Sequence, residues 1–127
     1  MDGITRGSIY LIDFGENQEG SIQGGIRPGV ILQNDTGNKF STTTIVIPIS
    51  SKSFSNLPMH VQLRSIDFIE GELLHKSIVL TEQVRVINSS SIIKKIGTIK
   101  GSKMNLIEDA LMLSLGLTVK LNKEVFL

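Results

Sequence analysis

No cysteine occurs in this 127-residue chain. Disulfides, thiolate metal sites and cysteine nucleophiles are excluded, and a reducing cytoplasm is the simplest home. No apolar run approaches the ~18–20 residues that span a bilayer, so no membrane role is expected. Met1–Arg6 is not followed by the apolar core of a signal peptide. No phosphate-binding P-loop is present, because the Gly-Ser after Lys100 lacks the required spacing. Charge of one sign is also lacking: the formal net charge is +1. A duplex-wrapping protein is usually more basic, so any bound nucleic acid is better imagined as short and single-stranded. What remains is 40% hydrophobic residues and a mean hydropathy of +0.16, which argues against disorder. The length suits one domain, 1–127, with a real core.

Ser8–Phe14 is strand-like, and Gly15–Gly25 is a polar loop longer than a usual hairpin connection. Arg27–Gln33 reads as a second strand, and Asn34–Asn38 as a turn. Thr42–Ile49 is β-branched and almost continuously apolar, which suits a central strand. Ser50–Asn56 is a second polar loop. His60–Leu63 alternates like a short edge strand. Ser77–Ile87 alternates too, with a slip near Glu82 that suits a bulge. Lys94–Ile99 is a last short strand. From a Ser102 N-cap, Met104, Ile107, Leu111, Ser114 and Leu115 recur at helical spacing. Leu106, Ala110, Leu113 and Leu117 widen that stripe enough to leave part of it for a partner. Successive strands followed by one helix predict an α+β, mainly β fold: a small antiparallel barrel with a C-terminal helix packed against it.

The most informative stretch is Gly24-Gly25-Ile26-Arg27-Pro28. Two glycines permit positive φ and a close backbone approach. Pro28 biases Arg27 toward extended backbone. An arginine is thereby held at the mouth of a strand, where its planar fork of donors suits a phosphate. Ser50 ends the third strand, and Glu82 and Gln83 fall in the middle of the fifth. These strand-end groups would converge on one groove able to hold a phosphodiester and read base edges through an amide such as Gln83. Ser51-Lys52-Ser53 has the composition to bind phosphate, although Ser-rich loops are usually only loops. His60 and His75 have no metal-ligand spacing and read as ordinary surface or strand residues. Glu70-Gly71-Glu72 reads as a solvated acidic turn, and Lys94-Lys95 is too short for a basic patch. Ser50 has no evident Ser-His-Asp partners.

At these residues the chain resembles the MazF/PemK-type toxin endoribonucleases of type II toxin–antitoxin systems. Five stretches carry the resemblance in order: Gly20–Pro28, Val30–Ser41, Ile45–Ser50, Leu57–Val61 and Ser77–Arg85. The resemblance implies an SH3-like barrel, a cytoplasmic homodimer, and metal-independent cleavage of single-stranded RNA with no cofactor. The 2′-oxygen attacks the adjacent phosphorus, leaving a 2′,3′-cyclic phosphate and a 5′-hydroxyl. A cognate antitoxin occupies the RNA groove. By the same resemblance Arg27 and Ser50 are catalytic. Arg27 stabilises charge on the phosphoryl oxygens, and Ser50 stands where relatives usually carry Thr. RNA contacts are assigned to Ser21, Gln23, Ser51, Leu57, Pro58, Glu82 and Gln83. Ile22 replaces the Glu of the Gly-Ser-Glu-Gln pattern; Glu19 or Glu82 would have to take its part, and the group that activates the 2′-hydroxyl is unassigned. Two rival readings follow. Ile22 and Ser50 suit a catalytically weakened member that only binds. A same-fold gyrase poison would carry a C-terminal Trp-Gly-Ile, whereas this chain has no Trp and ends Glu124-Val125-Phe126-Leu127.

Overall fold

The structure, a computed structural model, describes residues 3–16, 22–52 and 57–117. Eight strands and two helices follow in order: β1 (Ser8–Asp13), β2 (Ile26–Ile31), α1 (Asp35–Phe40), β3 (Thr43–Ser50), β4 (His60–Leu63), β5 (Phe68–Gly71), β6 (Ser77–Leu80), β7 (Arg85–Asn88), β8 (Ile92–Ile99) and α2 (Gly101–Ser114). The strands form one antiparallel sheet in the order β4-β6-β3-β2-β1-β8-β5, with β7 also paired to β3. The sheet curls into a half-barrel closed by α2. β4 is an edge strand, in agreement with its short alternating sequence.

The continuous apolar runs have a simple cause: the central strands are buried on both faces. Ile9, Val30, Ile47 and Ile49 join one cluster with Met104, Ile107 and Ala110 of α2. Their neighbours Tyr10, Ile12, Ile31 and Val46 join a second cluster with Phe14 and Ile92. Successive side chains point to opposite faces of a strand, so a strand covered on both sides loses the apolar–polar alternation of a half-exposed one.

β3 pairs with three strands, β2, β6 and β7. Near its end Ile49 pairs with Val79 of β6; three residues back, Val46 pairs with Arg85 of β7, six residues on. The excess is taken up by a 3₁₀ turn, Thr81–Gln83. Glu82 and Gln83 are therefore not in mid-strand, as the sequence pattern suggests. The slip near Glu82 is a full break, because Thr81 is wholly buried and its hydroxyl donates to the Met59 carbonyl at 2.5 Å.

Three further boundaries differ from expectation. The Asn34–Asn38 turn is the start of α1. Asn34 caps it by accepting from the Gly37 amide at 2.8 Å. The buried Asn38 then fixes the next turn, donating to the Gln33 carbonyl at 3.0 Å and accepting from the Thr44 hydroxyl at 2.6 Å. Helix α2 begins after Lys100, not at Ser102, because the Lys100 amide is held by the Asp67 carbonyl at 2.8 Å. Its buried stripe is Met104, Ile107 and Ala110, while Leu106 and Leu113 stay exposed. Glu70 and Gly71 are not in a turn but end strand β5, which no sequence pattern marks. It exists because Gly71 and Gly97 allow β5 and β8 to touch: a β-carbon on Gly71 would lie 2.1 Å from the Ile96 carbonyl oxygen.

Gly71 also has φ +76°, a conformation that disfavours other residues. Gly71→Ala is expected to lower the free energy of unfolding by roughly 2–4 kcal/mol in a urea titration. Gly116→Ala, with similar φ but open space around it, is expected to lose only about 1 kcal/mol.

Candidate functional site

The glycine pair closes the β1–β2 connection. Gly25 takes φ +77°. Its carbonyl accepts from the Phe14 amide at 2.9 Å, and its amide donates to Gly15 at 2.7 Å. The chain then enters β2 with Arg27 at its second position. The Arg27 Nε–H donates to the Gly24 carbonyl at 2.8 Å, and a terminal N–H donates to the Gln23 side-chain oxygen. Two of the five guanidinium donors are thus spent on orientation, and the rest remain for an anion.

Gly29 of β2 pairs with Pro48 of β3. Two residues outward along each strand stand Arg27 and Ser50. They share a cleft of about 580 Å³ with Ser51, Lys52, Glu72, His75 and Lys94. Ser50 is only 2% exposed, so its hydroxyl lies in the cleft wall. It accepts from the Lys52 amide at 3.2 Å and keeps its own proton to donate. Among the described residues, three cations, Arg27, Lys52 and Lys94, and one carboxylate, Glu72, line this cleft. Such a balance raises the local concentration of phosphates.

The Thr81–Gln83 turn supports the opposite side of Arg27. The Gln83 side-chain oxygen accepts from the Gln23 amide at 2.8 Å. Arg85, two residues further, donates to the Gln23 carbonyl and stacks on Phe14, 4.5 Å from the ring centroid. Burial first, and then the nearby charge of Arg27, lowers the pKa of the Arg85 guanidinium from its ordinary value. Gln23 is therefore held through its amide, its carbonyl and its side chain while itself orienting Arg27.

The structure thus brings Arg27, Ser50 and Ser51 into one cleft and ties Gln23 and Gln83 to its rim. Glu82 turns elsewhere, to the largely buried His60 ring at 3.0 Å. Leu57 and Pro58 precede β4 on an exposed segment. Pro58 lines a different groove with His60, Lys103 and Leu106. Ser21 lies outside the described residues. Lys52 joins the cleft from the Ser51-Lys52-Ser53 stretch, while His75 and Lys94 join it with no sequence signal for that place. Their approach depends on loop paths and on the β1–β8 register, which carry no local signal.

Comparison with solved structures identifies the fold as that of MazF-type toxins. An endoribonuclease from a mycobacterial species superposes with a TM-score of 0.73 at 19% identity, over 92% of this chain and 95% of that one. MazF from Deinococcus radiodurans gives 0.73 at 20% identity, over 91% and 98%. A mycobacterial endoribonuclease in complex with its cognate antitoxin gives 0.71 at 20% identity, over 93% and 98%. At the sequence level residues 5–115 match the PemK-like, MazF-like toxins of type II toxin–antitoxin systems, and the chain belongs to that family.

Gln83→Ala removes the acceptor for a backbone N–H, a loss of about 1 kcal/mol. Amide hydrogen exchange at Gln23 is expected to accelerate roughly fivefold, with the global melting transition little changed.

Proposed function

We propose that this protein is a single-domain endoribonuclease toxin that cleaves single-stranded RNA in the cytoplasm, acts as a homodimer and is neutralised by a cognate antitoxin. The observation that carries the reading is the convergence of Arg27 and Ser50 on one cationic cleft in a chain of this family. The 2′-oxygen attacks the neighbouring phosphorus, and the products carry a 2′,3′-cyclic phosphate and a 5′-hydroxyl. Arg27, already oriented by Gly24 and Gln23, donates to the non-bridging oxygens as charge develops there. Ser50 donates its hydroxyl proton to the same phosphate. Gln23, Ser51, Leu57, Pro58, Glu82 and Gln83 are proposed RNA contacts, with Ser21 beside them in sequence. No metal is needed in this scheme, because Arg27, Lys52 and Lys94 supply positive charge at the phosphate. The complex of a related endoribonuclease with its antitoxin supports regulation by a partner.

One observation favours a second reading. Ile22 is 56% exposed and offers no proton-transfer group at the rim. Ser50 is almost buried. A member that binds RNA or antitoxin without cutting fits both facts.

Incubation with mixed-sequence single-stranded RNA in EDTA separates the two. Cleavage to 5′-hydroxyl ends is expected, with Arg27→Ala slower by about 10²–10³-fold. RNA that is bound yet survives prolonged incubation establishes the second reading.

A further inference from the structure

The scheme above leaves the attacking 2′-hydroxyl without a proton acceptor. The carboxylates near Arg27 are few. Position 22 is isoleucine, and Glu82 is engaged with His60 at 3.0 Å. Glu19 lies outside the described residues. Among the described residues, two titratable groups of suitable type line the cleft with Arg27 and Ser50: Glu72 and His75.

Their placement differs. His75 leads into β6, and its carbonyl accepts from the Ser77 hydroxyl at 2.8 Å. Ser77 is 4% exposed, so this bond pins the backbone at His75 to a fixed wall. The next residue, Ile78, pairs with Ser50. The segment carrying His75 therefore enters the sheet beside the strand end that carries the phosphate-facing hydroxyl. Glu72 follows the last residue of β5, on the side of the cleft held by β8. Chemistry separates them as well. Histidine is the side chain most often found as a general base, ahead of glutamate. The charged groups sharing the cleft are Arg27 from β2, Lys52 beyond β3, Glu72 from the same connection and Lys94 from β8.

We propose that His75 is the general base of this site, taking the proton from the attacking 2′-hydroxyl. The inference rests on the endoribonuclease reading. As the proton passes to the imidazole, the bond from the 2′-oxygen to phosphorus forms. The bond from phosphorus to the 5′-oxygen breaks, and that oxygen takes a proton from solvent in the open cleft. His75 then returns its proton to solvent. The step needs no co-reactant.

The test is the pH dependence of kcat on a labelled single-stranded RNA between pH 5 and 9, for the wild type, His75→Gln, His75→Ala and Glu72→Gln. The wild-type rate is expected to rise with pH through a single ionisation. His75→Gln is expected to lose that ionisation and roughly 100-fold in kcat, with KM changed much less. Added imidazole is expected to restore part of the His75→Ala rate, which a purely structural role would not allow. His75 is exposed, so these variants keep the fold. An active wild type with an unchanged profile in His75→Gln overturns the proposal, as does loss of the ionisation in Glu72→Gln instead. A wild type that leaves the RNA intact removes the endoribonuclease reading, and this one with it.

Discussion

The break in the partner of β3 is the constraint on which the site depends. One strand pairs with β6 at its outer end and with β7 at its inner end, and the Thr81–Gln83 turn makes up the difference. Burying Thr81 requires its polar groups to be answered. Thr81 is answered by Met59 and lies close to the Ala110 carbonyl of α2, so the turn is bolted to the edge strand and the helix together. Glu82 and Gln83 are then thrown outward in fixed directions. Glu82 meets His60, and Gln83 grips the backbone of the segment that orients Arg27. The path from helix packing to guanidinium orientation runs through three consecutive residues.

Electrostatics at the rim follows from the same arrangement. Two guanidinium groups approach Gln23, and each is spent partly on holding the chain and partly on raising the local positive potential. Phe14 shelters Arg85, which places that charge behind the cleft rather than in it. Arg27 is left as the forward charge, with Lys52 and Lys94 on the flanks.

Elements governed by local patterning were legible in the sequence. His60–Leu63 alternates and is an edge strand; Met104 and Ile107 recur at helical spacing and are buried. Asn34–Asn38 reads as a turn in sequence because the same residue types start a turn or a helix, and the helix is selected by the buried amide of Asn38 through Gln33 and Thr44. β5 was illegible because Phe68–Gly71 is short and depends on a glycine contact with β8 rather than on its own pattern. Arg27 and Ser50 could be singled out as strand-end groups, yet their shared cleft follows from pairing register. His75 reaches the cleft through a connection whose path no periodicity encodes.

The first cluster has a temporal meaning. Ile9, at the start of the first strand, packs in the same cluster as Ile107 and Ala110. Arg6 binds Glu108, 102 residues away, at 2.6 Å. Contacts of such sequence separation form late and slowly. During synthesis the half-barrel therefore stays open on one face until the helix has left the ribosome. Arg27 and Ser50 precede α2 in the chain, so the wall that supports them through Thr81 and Ala110 closes after they are made. A chain emerging from the ribosome therefore has an incomplete core until α2 has followed the strands, and the assembled cleft waits on that last packing step.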